Sequence, residues 1–237
     1  MSKNVLTNAL IAFGGYNLRS QSNQVGINYE ADALDASTFG FDTHVNLGGL
    51  KVAAMSAAGF WEAEYPDREL FEKIGSGVLM TVAPGITAGD IAYFHNALAV
   101  QYNPNAQIGQ MFGFTLATAA QDRLLRGTLM EYRSAIAANA NGTGRQIGAV
   151  SASQSIYCGL HVTAAPGTTP SLTVIVESDD NAGFTTPTTR ITMNAATGLT
   201  SQLASLAGAI TDDYWRLRWT VSGSGLGFDF IGSLAIQ

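Results

Sequence analysis

Cysteine, charged residues and long apolar runs are all scarce in this sequence. The 237 residues include a single cysteine, Cys158, which excludes an internal disulfide and a thiolate metal cluster. No run of eighteen or more apolar residues occurs, and the opening segment MSKNVLTNALIAFGG is too short and weak in apolar character for a convincing signal peptide. We therefore expect packing to supply the stability of the fold, and we expect no membrane partner. The protein is expected to stay in the cytoplasm until it assembles.

Charged residues make up only 13% of the chain, whereas hydrophobic residues make up 46% and 26 residues are glycine. This composition is typical of a β-rich protein that packs well or assembles, and it differs from that of a disordered chain. Two explanations of the low charge stay open: an obligate assembly that covers much of its surface, or a monomer with an uncharged polar surface. The net charge of −6 and the pI of about 4.9 disfavour direct binding to nucleic-acid phosphates.

Residues with catalytic or metal-binding chemistry are few and dispersed. His44, His95 and His161 stand in no H-E-x-x-H or similar frame, so we expect them at surfaces or interfaces and not at a zinc site. Cys158 lies in an apolar stripe and is expected in the core. No G-x-S-x-G, Walker or dinucleotide-binding motif is present. The sequence therefore predicts a protein that is not an enzyme and that holds no cofactor or metal.

The most informative stretch runs from residue 31 to residue 63, ADALDASTFGFDTHVNLGGLKVAAMSAAGFWEA. Apolar and polar residues alternate into it from Ile27, and a second strand-like segment runs from Leu50 to Trp61. About fifteen residues connect the two, and a connection of this length is usually functional or disordered. Phe39 and Phe41 argue against disorder. The connection is either a surface loop whose phenylalanines pack on their own core or an arm that docks on another subunit.

One short helix and several strands are predicted next. Proline and two acidic residues near the start, Leu70, Phe71 and Ile74 on one face, and Gly75 at the end predict a helix of about nine residues that lies against a sheet. A turn is predicted at residues 103–105. Strands are predicted at Val78–Ala83, Asp90–Tyr102, Phe112–Ala117 and Leu124–Tyr132. We expect the last two strands to pair with each other across a short turn.

The final third of the chain has its own set of strands. Residues 134–146 are small and polar, and we place a domain boundary there. Six regularly spaced strands beyond it predict a β-sandwich: Ser155–Thr163, Ser171–Ser178, Arg190–Asn194, Leu203–Ile210, Tyr214–Ser222 and Gly227–Ile236. Trp215 and Trp219 share an apolar stripe and are expected in its core. The acidic segment 177–181 is expected to form a turn built by Asp and Asn side chains and not a calcium site.

The order of these features resembles the major tail tube protein of bacteriophages with long non-contractile tails. The resemblance covers about residues 20 to 132: the strand into DALDASTFGFDTHVNLGGLKVAAMSAAGFWEA, the short helix, the next strand and the late strand IGQMFGFTLATA. In that family the polar D-x-T/S loop, the Gly-Leu turn and the S-x-x-G-x-W-like strand belong to an arm that joins stacked rings. The segment SLTVIVESDDNAGFTTPTTRITM resembles the sandwich domains appended to many phage tail proteins.

The resemblance implies a mainly β fold, with a tail-tube-type β-sandwich or barrel, one short flanking helix, a long hairpin arm and a C-terminal β-sandwich. It implies a tail tube domain at residues 1–140, with an inter-ring arm at about residues 30–52. A decoration domain would follow at residues 147–237. The residues expected to join the rings are Thr38, Phe39, Phe41, His44, Val45 and Leu47.

The implied function is that of a structural virion protein of the phage tail, assembled in the host cytoplasm. Hexameric rings would stack into a tube, and DNA would pass through the lumen without specific binding because an acidic lining repels phosphate. Tail terminator, tape measure and distal tail proteins would be its other partners. The residues leave one alternative: a capsid decoration or carbohydrate-binding β-sandwich module, suggested by Trp215, Trp219 and the acidic segment 177–181.

Overall fold

A computed structural model describes residues 6–40 and 42–237 of the chain. In this part the fold is mainly β, and every pair of neighbouring strands is antiparallel. The elements are β1 (Leu10–Phe13), β2 (Tyr16–Asn17), β3 (Ser22–Asp35), β4 (Asn46–Phe60), α1 (Arg68–Glu72), β5 (Gly77–Ala83), β6 (Ile91–Asn105), β7 (Gly113–Ala120), β8 (Leu125–Ile136), β9 (Ala140–Asn141), β10 (Arg145–Gln146), β11 (Ser155–Ala164), β12 (Thr168–Asp179), β13 (Thr188–Thr192), β14 (Thr200–Ala207), β15 (Tyr214–Ser224) and β16 (Phe228–Ile236).

An eleven-stranded sheet forms most of the fold, with its main path in the order β14, β11, β16, β8, β6, β5, β1 and β2. Off this path, β7 pairs with β6 and β4, and β4 pairs with β3. Apolar side chains of β1, β4, β5, β6 and β7 converge on one core, to which α1 adds Leu70. Because one face of all these strands lines a common interior, this part of the sheet must curl around it. The predicted mainly β fold with one short helix is confirmed.

The predicted pairing of the strands now numbered β7 and β8 is wrong. The two strands lie end to end along the same edge of β6, because Ala120 pairs with Ala97 and Leu125 pairs with Phe94. Residues 121–124 therefore do not reverse the chain. They carry it from a segment flanked by β4 to a segment flanked by β16, which is the way strands change partners at the corners of packed sheets.

The turn predicted at residues 103–105 is also wrong, because these residues continue β6. Pro104 pairs with Phe114, and the chain reverses further on, between Asn105 and Gly113. This end of β6 has β7 on one side and, in the described part of the chain, no strand on the other. Proline is tolerated there because a strand edge does not need its missing N–H group.

The helix is present but shorter than predicted, and its apolar face is different. Leu70 is fully buried, while Phe71 is 72% exposed and Ile74 is 41% exposed. Successive helical residues are about 100° apart, so Phe71 points away from the side that Leu70 covers. Ile74 lies beyond the end of α1 at Glu72. Gly75 follows with a φ of +79°, which confirms it as the residue that ends the helical segment.

The six strands predicted in the final third are all present as β11 to β16. Three of them extend the large sheet, and β12, β13 and β15 belong to a second sheet of five strands with the short β9 and β10. The two sheets enclose one apolar core. It includes Cys158, Trp215 and Trp219, as the alternation of residues predicts. This confirms a β-sandwich in this part of the chain.

The predicted division into domains at residues 134–146 remains a prediction. Short strands β9 and β10 occupy this segment, and both pair with β15. The large sheet continues across it, because β16 pairs with β8 along Phe228–Leu234. A small cluster that includes Leu10, Leu129 and Ile231 also joins the two parts. The two cores are therefore separate, but they share one sheet.

Candidate functional site

The projecting hairpin formed by β3 and β4 is the most prominent exposed feature. Its strands pair from Ser22 and Gly59 at the base to Asp35 and Asn46 at the outer end. Near the base β4 also pairs with β7, between Ala54 and Phe60. Farther out, within the described residues, the two strands have only each other as partners. This confirms the long hairpin, and we call residues 26–52 the arm.

The arm exposes both of its faces. A half-buried strand shows alternating burial, as β4 does at Ala53, Met55 and Ala57. From residue 27 to 48, by contrast, every described residue is exposed. The large apolar side chains exposed on the arm are Ile27, Tyr29, Leu34, Phe39, Val45, Leu47, Leu50 and Val52. An exposed set of this size marks a binding surface more often than a free one.

Hydrogen bonds close the tip of the arm. The Asp35 carboxylate accepts bonds from the Ser37 backbone N–H at 2.9 Å and the Ser37 hydroxyl at 2.5 Å. Ser37 Oγ in turn accepts the Val45 N–H at 3.0 Å, and the Asp35 Oδ2 to His44 Nδ1 distance is 3.1 Å. Bonds from Ser37 lower the pKa of Asp35, and the bond to His44 adds to this. The tip is thus an ordered loop and not a random connection.

Asp35, Ser37 and His44 do not form a catalytic triad. Both the carboxylate and the hydroxyl approach the same ring atom, His44 Nδ1, at 3.1 and 3.5 Å. In a triad the base must use different nitrogens for its two partners. The His44 and Asp35 side chains are also 81% and 55% exposed, so water competes for this pair. Its role is to hold the loop.

Most of the predicted ring-joining residues lie exposed on the arm. Thr38 and His44 are exposed, Phe39 stands fully in solvent at 108% relative exposure, and Leu47 is 59% exposed. Val45 is less exposed, at 38%. Phe41 lies outside the described residues. The structure gathers the other five at the outer end of the arm, whereas their part in joining rings remains a prediction.

The sequence prediction missed the contribution of the two strands themselves. It predicted a strand-like segment from Leu50 to Trp61 but not the exposure of both strands. Leu50 is 80% exposed, and Leu34, which pairs with Leu47, is 56% exposed. The usable signal was the run Leu47, Gly48, Gly49, Leu50. It breaks the alternation that a half-buried strand requires.

Two of the three histidines are buried, so their predicted surface location is wrong. His161 is fully buried, where its ring bridges the Gly14 carbonyl and the Thr81 hydroxyl at 2.7 Å each. His95 is also buried, and in the described chain its ring nitrogens have no hydrogen-bond partner. Burial lowers the pKa of both rings, to about 4 for His161. Histidine at one position in a strand alternation fits either face, so the residue pattern could not predict this burial.

The remaining reactive residues are structural. Burial raises the pKa of the Cys158 thiol to about 12, so it is protonated and inert at neutral pH. Asp179 accepts backbone N–H bonds from Asn181 and Thr186, which confirms the turn predicted for the acidic segment. Among the described residues, no group of three or more His, Cys, Asp or Glu side chains is arranged to hold a metal ion. No helix within the same residues is long and apolar enough to span a membrane.

Comparisons with known proteins give only distant similarities. No protein-family model matches the sequence, and no curated protein matches it. A chain from the virion of the native gene transfer agent particle has a TM-score of 0.41 at 16% identity, over 52% of this chain and 97% of that one. The tail of the empty gene transfer agent particle, refined with C6 symmetry, gives a TM-score of 0.41 at 17% identity over the same shares. The SPP1 Dit protein gives 0.39 at 9% identity, over 95% of this chain and 98% of that one.

Proposed function

We propose that this chain is a structural virion protein that polymerises as stacked hexameric rings into the tail tube of a bacteriophage with a long non-contractile tail. The arm joins each ring to the next. The observation that carries this proposal is a two-stranded hairpin of more than twenty residues that exposes apolar side chains on both faces.

An arm of this kind needs a partner for energetic reasons. A two-stranded hairpin on its own is marginal in water, because it has neither a third strand nor a packed face. Covering one exposed side chain the size of Phe39 or Leu47 contributes about 1.5–3 kcal/mol. Contact with another subunit would supply both the burial and the support.

Free sheet edges favour assembly as well. In the described part of the chain, β3 has a neighbour only on the β4 side, and β14 ends the large sheet. Unpaired strand edges tend to bind other strands, and closure into a ring covers them. We propose that rings close in this way and that tail terminator, tape measure and distal tail proteins meet the finished tube.

The acidity of the chain fits transport of DNA without binding. At a net charge of −6, a surface that faces a central channel would repel phosphate, so DNA would pass through without sticking. We propose that DNA traverses the tube during ejection. The site of assembly would be the host cytoplasm.

The burial of Trp215 and Trp219 counts against the alternative binding module. Trp215 is fully buried and Trp219 is 3% exposed, and their indole N–H groups donate to the carbonyls of Gly148 and Ala138. Neither ring is therefore free to stack on a sugar. The aromatic platform that a carbohydrate-binding module needs is missing at these two positions.

Shortening the arm tests the proposal. Removal of residues within 38–46 should leave folded subunits or single rings, whereas the unchanged chain should form tubes visible by negative-stain microscopy. A point variant, Phe39→Ser, should shorten the tubes, and Phe71→Ser is a matched control because Phe71 is an exposed phenylalanine on α1. Normal tubes from the shortened chain would refute the role of the arm.

A further inference from the structure

One edge of the five-stranded sheet is interrupted at residues 142–144. The short strands β9 and β10 on either side of the interruption both pair with β15. β9 is only two residues long, and in the described chain it has no strand on its other side. Within the interruption, the Gly142 N–H group donates to the Leu217 carbonyl at 2.7 Å. Because few hydrogen bonds hold this edge, it opens more easily than the longer strands behind it.

The packing requires glycine at residue 142. A Cβ atom there would overlap the buried Glu131 Oε1 and would approach the Leu217 carbonyl oxygen to 2.8 Å. The residue before it is Asn141, which is exposed. Of the 26 glycines in the chain, only Gly142 follows an asparagine. The fold therefore places the single Asn-Gly pair of the chain at an exposed and weakly held edge.

An Asn-Gly pair is chemically labile, because glycine has no side chain to keep its nitrogen away from the asparagine side chain. The Gly142 nitrogen attacks Asn141 Cγ, and the new C–N bond closes a succinimide ring. The C–N bond to the side-chain amide group breaks, and this group takes the proton from the Gly142 nitrogen and leaves as ammonia. Water then opens the ring at either carbonyl and yields aspartate or isoaspartate.

We propose that Asn141 is a site of spontaneous deamidation and that the opening of β9 from β15 controls its rate. In the closed edge, the Leu217 carbonyl binds the N–H group whose nitrogen must attack, and pairing with Arg218 holds Asn141 in a strand. Local opening releases both restraints. The inference goes beyond the proposed function and does not depend on it.

The reaction changes the charge on the outer face of this sheet. Asn141 lies directly opposite Arg218, so the two side chains share that face. Arg218 Nε donates to Glu177 Oε1 at 2.6 Å. A new carboxylate at residue 141 therefore competes with Glu177 for Arg218. Isoaspartate also adds a carbon atom to the main chain, which prevents β9 from pairing with β15 as before.

Peptide mapping of the full chain tests the site. The protein is incubated at neutral and mildly alkaline pH, and trypsin then releases residues 134–145 as one peptide for mass spectrometry. The same peptide contains Asn139 as an internal control, because Asn139 precedes alanine and its side chain accepts the Val221 N–H at 2.7 Å. Asn141 should lose ammonia about tenfold more slowly in the folded protein than in urea, since only the open edge reacts.

A variant that loosens β9 tests the control by strand opening. Asn139→Ala removes the acceptor for Val221, so Asn141 should react several-fold faster than in the unchanged chain. Asn194→Ala is the matched control, because Asn194 is exposed and its side chain makes no hydrogen bond in the described chain. Its rate at Asn141 should be unchanged. Asn141→Asp, prepared directly, identifies the aspartate product on the chromatogram.

The order of the rates decides the inference. Slow reaction in the folded protein, faster reaction in Asn139→Ala and the fastest reaction in urea support it. Equal rates at Asn141 in folded and unfolded protein would overturn the control by β9, and so would a folded protein that never reacts. Reaction at Asn139 in place of Asn141 would overturn the site itself. The comparison of folded protein with urea needs no variant, so it stands if Asn139→Ala misfolds.

Discussion

The two hydrogen-bond partners of His161 fix the protonation state of its ring. The Gly14 carbonyl can only accept a hydrogen bond, so Nδ1 carries the proton, and Nε2 accepts from the Thr81 hydroxyl. This neutral tautomer satisfies the ring and ties β11 to β5 and to the turn after β1. A second proton on Nε2 would reverse the direction of the Thr81 bond and bury a positive charge.

Acid should therefore weaken the protein through His161. The pKa of His161 in the folded chain is about 4, below the ordinary value of 6.5. Between these two pH values the unfolded chain binds a proton on this ring and the folded chain does not. Stability is complete above pH 6.5 and falls as the pH drops towards 4. We expect this one residue to reduce the free energy of unfolding by about 2 kcal/mol between pH 7 and pH 5.

Urea unfolding at the two pH values measures the effect. His161→Gln keeps a donor and an acceptor but does not titrate, so its loss between pH 7 and pH 5 should be smaller by about that amount. His95, whose pKa burial also lowers, adds a slope of the same sign to both proteins and cancels in the comparison. Identical slopes for the two proteins would contradict the assignment.

At the scale of elements, the arm tip depends on one carboxylate. Asp35→Ala removes the acceptor for Ser37 and His44, so the tip should open and become more sensitive to chymotrypsin near Phe39. We expect cleavage to speed up several-fold while the melting temperature of the body stays within a few degrees. Asp42→Ala is the control, because Asp42 makes no hydrogen bond in the described part of the chain. Equal cleavage of both variants would argue against an ordered tip.

The elements that sequence could predict are those in which alternation and burial agree. In β15, Trp215 and Leu217 face the core while Arg216 and Arg218 pair with Glu177 on the outer face, so the pattern alone located the strand. Pairing partners were harder to predict. Residues 121–124 carry ordinary turn composition, yet β4 and β16 on either side of β6 decide that the chain passes straight through.

The candidate site was predictable in position but not in extent. Phe39 among polar residues located the tip of the arm. Exposure of Leu34 and Leu50 depends on how far the hairpin extends beyond β7, and that is a property of the whole sheet.

At the scale of the whole molecule, two cores share one sheet. β16 pairs with β8 along Phe228–Leu234. Unfolding of the C-terminal core would therefore remove the strand that is hydrogen-bonded to one edge of β8. We expect one calorimetric transition, with the van't Hoff and calorimetric enthalpies equal. Leu234→Ala should lower the temperature of this single transition. Two separate transitions would show that the predicted domains at residues 1–140 and 147–237 unfold independently.

The end-to-end course of β7 and β8 along β6 bears on how the fold withstands tension. β6 spans the gap at residues 121–124, because its residues Ala97–Asn105 pair with β7 and its residues Ile91–Phe94 pair with β8. Tension along this line shears both sets of hydrogen bonds at once, whereas a hairpin at the same place would peel open bond by bond. The fold is thus reinforced against force that acts along β6.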